Sequence, residues 1–127
     1  MVTDPIADFL VRLRNAGLTG KESVTVPASK MTSTLAALLE KEGYVAGVSK
    51  KKNGSLTVLL AYKNNRPAIT SAKRVSKSSR RMYMGVREIK PVKRGHGLLV
   101  LSTPQGVLTG KEAREKKVGG EILFEIW

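Results

Sequence analysis

The sequence predicts an α+β fold of two small lobes, an N-terminal αβαββ lobe over residues 1–66 and a C-terminal, mainly antiparallel β lobe with one short helix over residues 67–127. Apolar residues recur at helical spacing in two early segments and alternate at strand spacing in several others. Between the halves, Lys63-Asn64-Asn65-Arg66-Pro67 is polar and breaks regular structure, which makes it the expected junction. The second half carries strand formers and a single capping signal for a helix.

In chain order, Thr3-Asp4-Pro5 reads as a helix start, because Asp4 can cap free amides and Pro5 loses no needed hydrogen bond at the first helical position. Ile6, Phe9, Leu10 and Leu13 mark its buried face, and Gly17 is the expected terminator. Ser23 to Val26 alternates as a strand with both valines inward, ahead of Pro27. Ser29 is a second N-cap, followed by Met31, Leu35, Leu38 and Leu39 at helical spacing and closed by Gly43. Tyr44 to Ser49 and Ser55 to Tyr62 are strands joined by the hairpin signal Asn53-Gly54. A further strand is expected over roughly Ala68 to Ser76, then a mixture of loop and extended chain up to Arg94. Leu98 to Leu101 is a continuous apolar run that reads as a buried strand, and Ser102-Thr103-Pro104-Gln105-Gly106 has the composition of a turn. Thr109 and Glu112 are spaced as a capping box, so a short helix should run to about Val118 and stop at Gly119-Gly120. Ile122 to Trp127 is the last strand.

Composition narrows the function. The chain holds 23 Lys and Arg against 10 acids, a formal +13. Nine basic and five acidic residues fall in 1–64, and fourteen and five in 65–127, so the second half carries +9 of that charge. Each phosphate neutralised by Lys or Arg releases condensed counterions, so this excess favours a polyanionic partner, nucleic acid first. Cysteine is absent, which removes any disulfide framework or thiolate metal site and suits a reducing compartment. No apolar run approaches the roughly 20 residues that cross a bilayer. Residues 1–8 contain Asp4, Asp8 and Pro5 rather than a basic leader, so a cytoplasmic protein is expected. His96 is the only histidine, with no second imidazole or spaced carboxylate pair beside it. Neither a metal site, a cofactor nor an acid–base constellation is expected, and hence no enzyme.

Residues suited to RNA can be named. Double-helical RNA hides its base edges in a deep major groove, so proteins read its minor groove, its 2′-hydroxyls and its unpaired bases. Ser102 and Thr103 could set small donors against such groups, although hydroxyls on turns commonly bond their own backbone. Gly119-Gly120 reads first as a helix stop and second as bare backbone against which an RNA strand could lie, with Glu121 shaping the loop. Lys73 to Arg94 holds nine basic residues and one acid, Glu88. Within it Tyr83 either packs in the core or, because it alternates with Met82 and Met84 and so lies on the opposite face, stacks on a base. Arg80, Arg81 and Arg87, with Lys90, Lys93 and Arg94, are candidate phosphate neutralisers, and Lys30 could meet phosphate at the start of the second helix.

These stretches resemble, from end to end, the bacterial-type family of the eighth protein of the small ribosomal subunit. The matching segments are Thr3 to Asp8 through Arg14-Asn15-Ala16, Pro27 to Lys30, Leu39 to Tyr44, Leu101-Ser102-Thr103 with Gly106, Lys111 to Arg114, and Gly119-Gly120-Glu121 followed by Trp127. The resemblance implies a two-lobed protein that binds an irregular helical stem in the central domain of small-subunit ribosomal RNA early in assembly, beside neighbouring ribosomal proteins. It places RNA contacts on the loop of Ser102, Thr103, Gln105 and Gly106. Some members also repress translation of the messenger of their own operon. Pro104 departs from the family's second serine, and Ser78-Ser79 from its usual Pro-Gly.

A generic basic protein that binds nucleic acid or an anionic membrane surface is the rival. Residues 73–94 contain Ser76, Ser78, Ser79, Gly85 and Pro91 rather than the continuous amphipathic periodicity of a membrane-surface helix. No helix-turn-helix or zinc pattern points to DNA.

Overall fold

The computed structural model describes residues 4–77, 79–90 and 97–127. Thr3, Ser78, Pro91, Lys93, Arg94 and His96, named above, lie outside the described residues. The α+β class holds: helices combine with antiparallel sheets throughout. The chain divides into two compact units, Pro5–Thr70 and Ser71–Trp127, the latter together with Asp4. The division therefore falls after Thr70 rather than after Arg66.

In the first unit the expected αβαββ order appears as α1 (Pro5–Leu18), β1 (Ser23–Pro27), α2 (Lys30–Lys41), β2 (Val45–Lys50) and β3 (Ser55–Leu60). Strand β3 is central in an antiparallel sheet of order β1-β3-β2. Its Leu56, Val58 and Leu60 are buried, as are Phe9, Leu10 and Leu13 of α1 and Leu35 and Leu39 of α2. Val26 is fully inward and Val24 half so. Helix α2 begins with a reciprocal box, in which Ser29 Oγ accepts the Thr32 N–H (3.1 Å) and Thr32 Oγ1 accepts the Ser29 N–H (2.9 Å).

Two expectations in this unit are corrected. Helix α1 runs through Gly17, whose missing Cβ would lie 3.0 Å from Pro67 Cβ, and ends at Leu18, with Gly20 beyond it taking the left-handed φ of +72°. The Lys21 N–H then bonds Ala16 O at 2.9 Å, closing a Schellman turn. The run from Lys63 to Pro67 is a tight hairpin rather than a junction. Strands β4 (Tyr62–Lys63) and β5 (Arg66–Pro67) pair across Asn64 and Asn65, whose φ values of +54° and +63° suit asparagine in a two-residue hairpin turn.

The second unit comprises β6 (Ala72–Arg74), β7 (Tyr83–Met84), a 3-10 turn (Val86–Glu88), β8 (Leu98–Thr103), β9 (Gly106–Thr109), α3 (Gly110–Glu115) and β10 (Gly120–Ile126). Its sheet runs β6-β10-β8-β9, with β7 also on β10. Strand β6 is shorter than the expected Ala68 to Ser76. Strand β9 was not anticipated: Ser102 and Thr103 belong to β8, and only Pro104 and Gln105 form the turn between β8 and β9. Helix α3 has the expected capping box, with both Thr109–Glu112 bonds at 3.1 Å, but ends early at Glu115. Lys117, at φ +57°, supplies the left-handed turn, so the Gly119-Gly120 pair is not the helix stop.

The unit closes over Leu99, Leu101, Leu108, Ala113 and Ile122, against which Met82 and Met84 pack. Val100 and Phe124 are also buried, so β8 is covered on both faces, as its unbroken apolar run implies. Asp4 accepts from Arg74 Nε at 3.0 Å, and Arg74 also donates to Leu123 O.

Ser76 is the buried polar residue that shapes this unit, at 0% exposure. Its Oγ accepts the Met82 N–H at 2.7 Å and donates to Met82 O at 3.2 Å, which pins the chain just before β7. Met82 O also accepts the Ile122 N–H at 2.8 Å, so Ser76→Ala strands mainly the Met82 N–H. The expected cost is about 1–3 kcal/mol in urea unfolding. Ser79→Ala, at an exposed position, should change stability by no more than about 0.5 kcal/mol.

Candidate nucleic-acid interface

The second unit bears an open groove of about 750 Å³. Strand β7 and the 3-10 turn form one wall through Tyr83, Met84, Gly85 and Glu88. The end of β8 forms the other through Ser102, Thr103 and Pro104, with Gly119, Gly120 and Glu121 between them. Six of the residues singled out from the sequence therefore meet here: Tyr83, Ser102, Thr103, Gly119, Gly120 and Glu121. Their convergence follows from β10, whose first residues pair with β7 (Gly120 with Met84, Glu121 with Tyr83) and with β8 (Glu121 with Ser102).

The two hydroxyls have different roles. Thr103 Oγ1 donates to Gly106 O at 2.8 Å and accepts the Gln105 N–H at 3.1 Å, so it fastens its own turn. Ser102 is half-buried, and its hydroxyl has no hydrogen-bond partner among the described residues. Gln105 is exposed at the hairpin tip, and Gly106 makes the return at φ +111°. Neither residue lines the groove.

The glycine pair answers a steric demand made by the protein itself. A Cβ on Gly119 would sit 2.3 Å from Met84 O, and one on Gly120 would sit 2.2 Å from Ser102 O. The backbone that approaches these glycines is that of β7 and β8. With the Cβ positions occupied by the protein's own backbone, the glycine main chain is what lines the groove.

Tyr83 is 69% exposed, opposite the inward Met82 and Met84, as alternation predicts. Arg81 donates to Glu121 Oε2 at 3.0 Å. The Glu121 side chain is only 15% exposed, and its hydrogen bond and charge raise the Arg81 pKa above the ordinary guanidinium value. Arg80 lies in a small bridge with Lys77, and Arg87 on the 3-10 turn. Both are exposed, outside the groove lining. Lys30 is the first residue of α2 in the other unit.

Sequence reasoning assigned no role to Gly85, Glu88 or Ser76. Glu88 was visible as the one acid of the basic stretch, whereas nothing local distinguishes Ser76 from its neighbouring serines. Among the described residues, no group of three His, Cys, Asp or Glu could hold a metal ion, and no helix is long and apolar enough to cross a membrane.

The family model for ribosomal protein S8 matches residues 4–127. Small ribosomal subunit protein uS8 of Nitratidesulfovibrio vulgaris (strain DP4) is 50% identical over 127 residues, covering 100% of both chains. The uS8 protein of Desulfovibrio desulfuricans is 49% identical with the same coverage, and that of Petrotoga mobilis is 46% identical over 134 aligned residues, again with 100% of each chain. A match over the whole fold, including both walls of the groove, shows that the chain belongs to the ribosomal protein S8 family.

Proposed function

We propose that the groove between β7, the end of β8 and the start of β10 binds RNA, and that its target is an irregular helical stem in the central domain of small-subunit ribosomal RNA, bound early in assembly. Family membership makes the chain a structural, non-enzymatic component of the small subunit of the cytoplasmic ribosome. One observation carries the finer reading: an exposed aromatic ring, an unpartnered hydroxyl and bare glycine backbone share one concave surface.

A regular duplex keeps its bases stacked and offers nothing to the Tyr83 ring, whereas an internal loop can splay a base onto it. Such stacking is worth about 1–3 kcal/mol. Ser102 can donate to or accept from a 2′-hydroxyl, a phosphate or a base edge. Thr103 holds the strand end that presents it. Arg80, Arg87 and Lys90 neutralise phosphates, and Lys30 adds a contact from the first unit. Arg81 is already paired with Glu121. Neighbouring small-subunit proteins cover part of the remaining basic surface. A messenger carrying the same irregular stem would occupy the same groove, which is how the chain would repress its own operon.

The deciding experiment titrates the protein against the central-domain stem and an equally long regular duplex at physiological salt. A preference of at least tenfold for the stem, about 1.4 kcal/mol, is expected, and equal affinities would mean that charge alone explains binding. Ser102→Ala should lower affinity for the stem roughly fivefold, the worth of one hydrogen bond, and leave the melting temperature unchanged. Thr103→Ala should instead lower stability first, because its hydroxyl serves the turn. Arg87→Ala should weaken both RNAs alike and flatten the slope of log K against log salt by about 0.7–0.9.

A further inference from the structure

A carboxylate with no partner among the described residues lines the groove. Of the five acids in residues 71–127, Glu112 is spent on the α3 capping box and Glu121 on Arg81. Glu88 is exposed on the 3-10 turn, held there by its backbone N–H to Gly85 O at 2.9 Å, and its carboxylate has no partner among the described residues. Its Oε1 lies beside Gly85, where a Cβ would come 3.4 Å from it.

A bare negative charge repels phosphate, so an RNA groove should exclude it unless it does something no other group there can do. An ionised carboxylate is acceptor-only. RNA presents hydrogen-bond donors as exocyclic amino groups, as guanine N1–H and uracil N3–H, and as 2′-hydroxyls; uracil has no amino group and offers a carboxylate only the single N3–H. The amino-bearing edge is fully available only when a base is unpaired. On the same wall stands the ring of Tyr83, on which a splayed base can lie, and across the groove is the Ser102 hydroxyl, without a partner among the described residues.

We infer that Glu88 is a specificity-determining residue that accepts hydrogen bonds from the amino-bearing edge of an unpaired base seated in this groove. Guanine, with N1–H and its N2 amino group side by side, matches both carboxylate oxygens; adenine and cytosine each offer one amino group. The same charge repels the phosphates of a regular duplex, so Glu88 selects in two ways at once. This inference rests on the RNA reading of the groove.

The test compares wild type, Glu88→Gln and Glu88→Ala on the irregular stem and on the regular duplex at one salt concentration, with circular dichroism to verify the fold. The exposed position makes both variants foldable. Losing the charge should tighten duplex binding up to a few-fold while weakening stem binding at least fivefold, with Glu88→Gln intermediate because it keeps a carbonyl acceptor. If the variants bind both RNAs equally or more tightly, Glu88 is a repelled bystander and the inference falls, while the RNA reading stands on the wild-type preference. If the wild type shows no preference, both fall.

A second arm removes one amino group at a time from the loop bases, using inosine for guanosine, purine riboside for adenosine and pyrimidin-2-one riboside for cytidine. One replacement should cost the wild type about fivefold and Glu88→Ala almost nothing, which identifies the base. Equal losses in both proteins at every position would overturn the inference.

Discussion

The start of β10 runs between β7 and β8 so closely that there is no room for a side chain at either of two successive positions. A Cβ at Gly119 or Gly120 would lie inside the contact distance of the Met84 or Ser102 carbonyl oxygen by well over half an ångström. Neither glycine has a positive φ, so what they supply is space rather than conformational freedom. This contact sets the width of the groove. It fixes how far Tyr83 stands from Ser102 and puts Glu121 within reach of Arg81. The buried Ser76 hydroxyl works toward the same end from the other side, holding Met82 so that β7 meets β10 in register.

In both units the acids are few and placed. Asp4 holds Arg74, Asp8 pairs with Arg12 at 3.0 Å, Glu112 closes a helix cap and Glu121 holds Arg81. Exposed pairs such as Asp8–Arg12 add little stability, typically 0–1 kcal/mol. Their value in the second unit is positional: they fix Arg74 and Arg81 and, among the described residues, leave the other cations of that unit without an acidic partner. A basic protein built this way keeps a defined shape in its groove while its exposed outer charges are screened by salt.

What could be read from the sequence is what short-range chemistry decides. The caps at Ser29 and Thr109, the Asn53-Gly54 hairpin and the outward Tyr83 depend on neighbours three or fewer residues away, and all are found. Features settled by distant partners were misplaced. Gly17 resembles a helix stop, but its place is set by Pro67; the Lys63–Pro67 run resembles a linker until its strands pair; β9 is invisible without β8. In the groove, Ser102 and Thr103 are equivalent by pattern, and only the folded turn shows that one hydroxyl is spent and the other free. Glu88 was legible as an exception to the charge run, but its meaning depends on what stands across the groove.

Strand β10 follows β6, β7 and β8 in the chain and yet lies among them. During synthesis those three strands emerge without the partner that joins them, their amide and carbonyl edges and the apolar faces of Leu99 and Leu101 open to solvent. The first unit has no such debt, since every strand of its main sheet is complete by Leu60. Folding on the ribosome should therefore proceed in two steps, with the first unit closing early and the second waiting for its latest strand. The groove between β7, β8 and β10 forms only once β10 has emerged, so a chain stopped short of Gly119 would carry the second unit's basic residues without the surface that brings Tyr83 and Ser102 together.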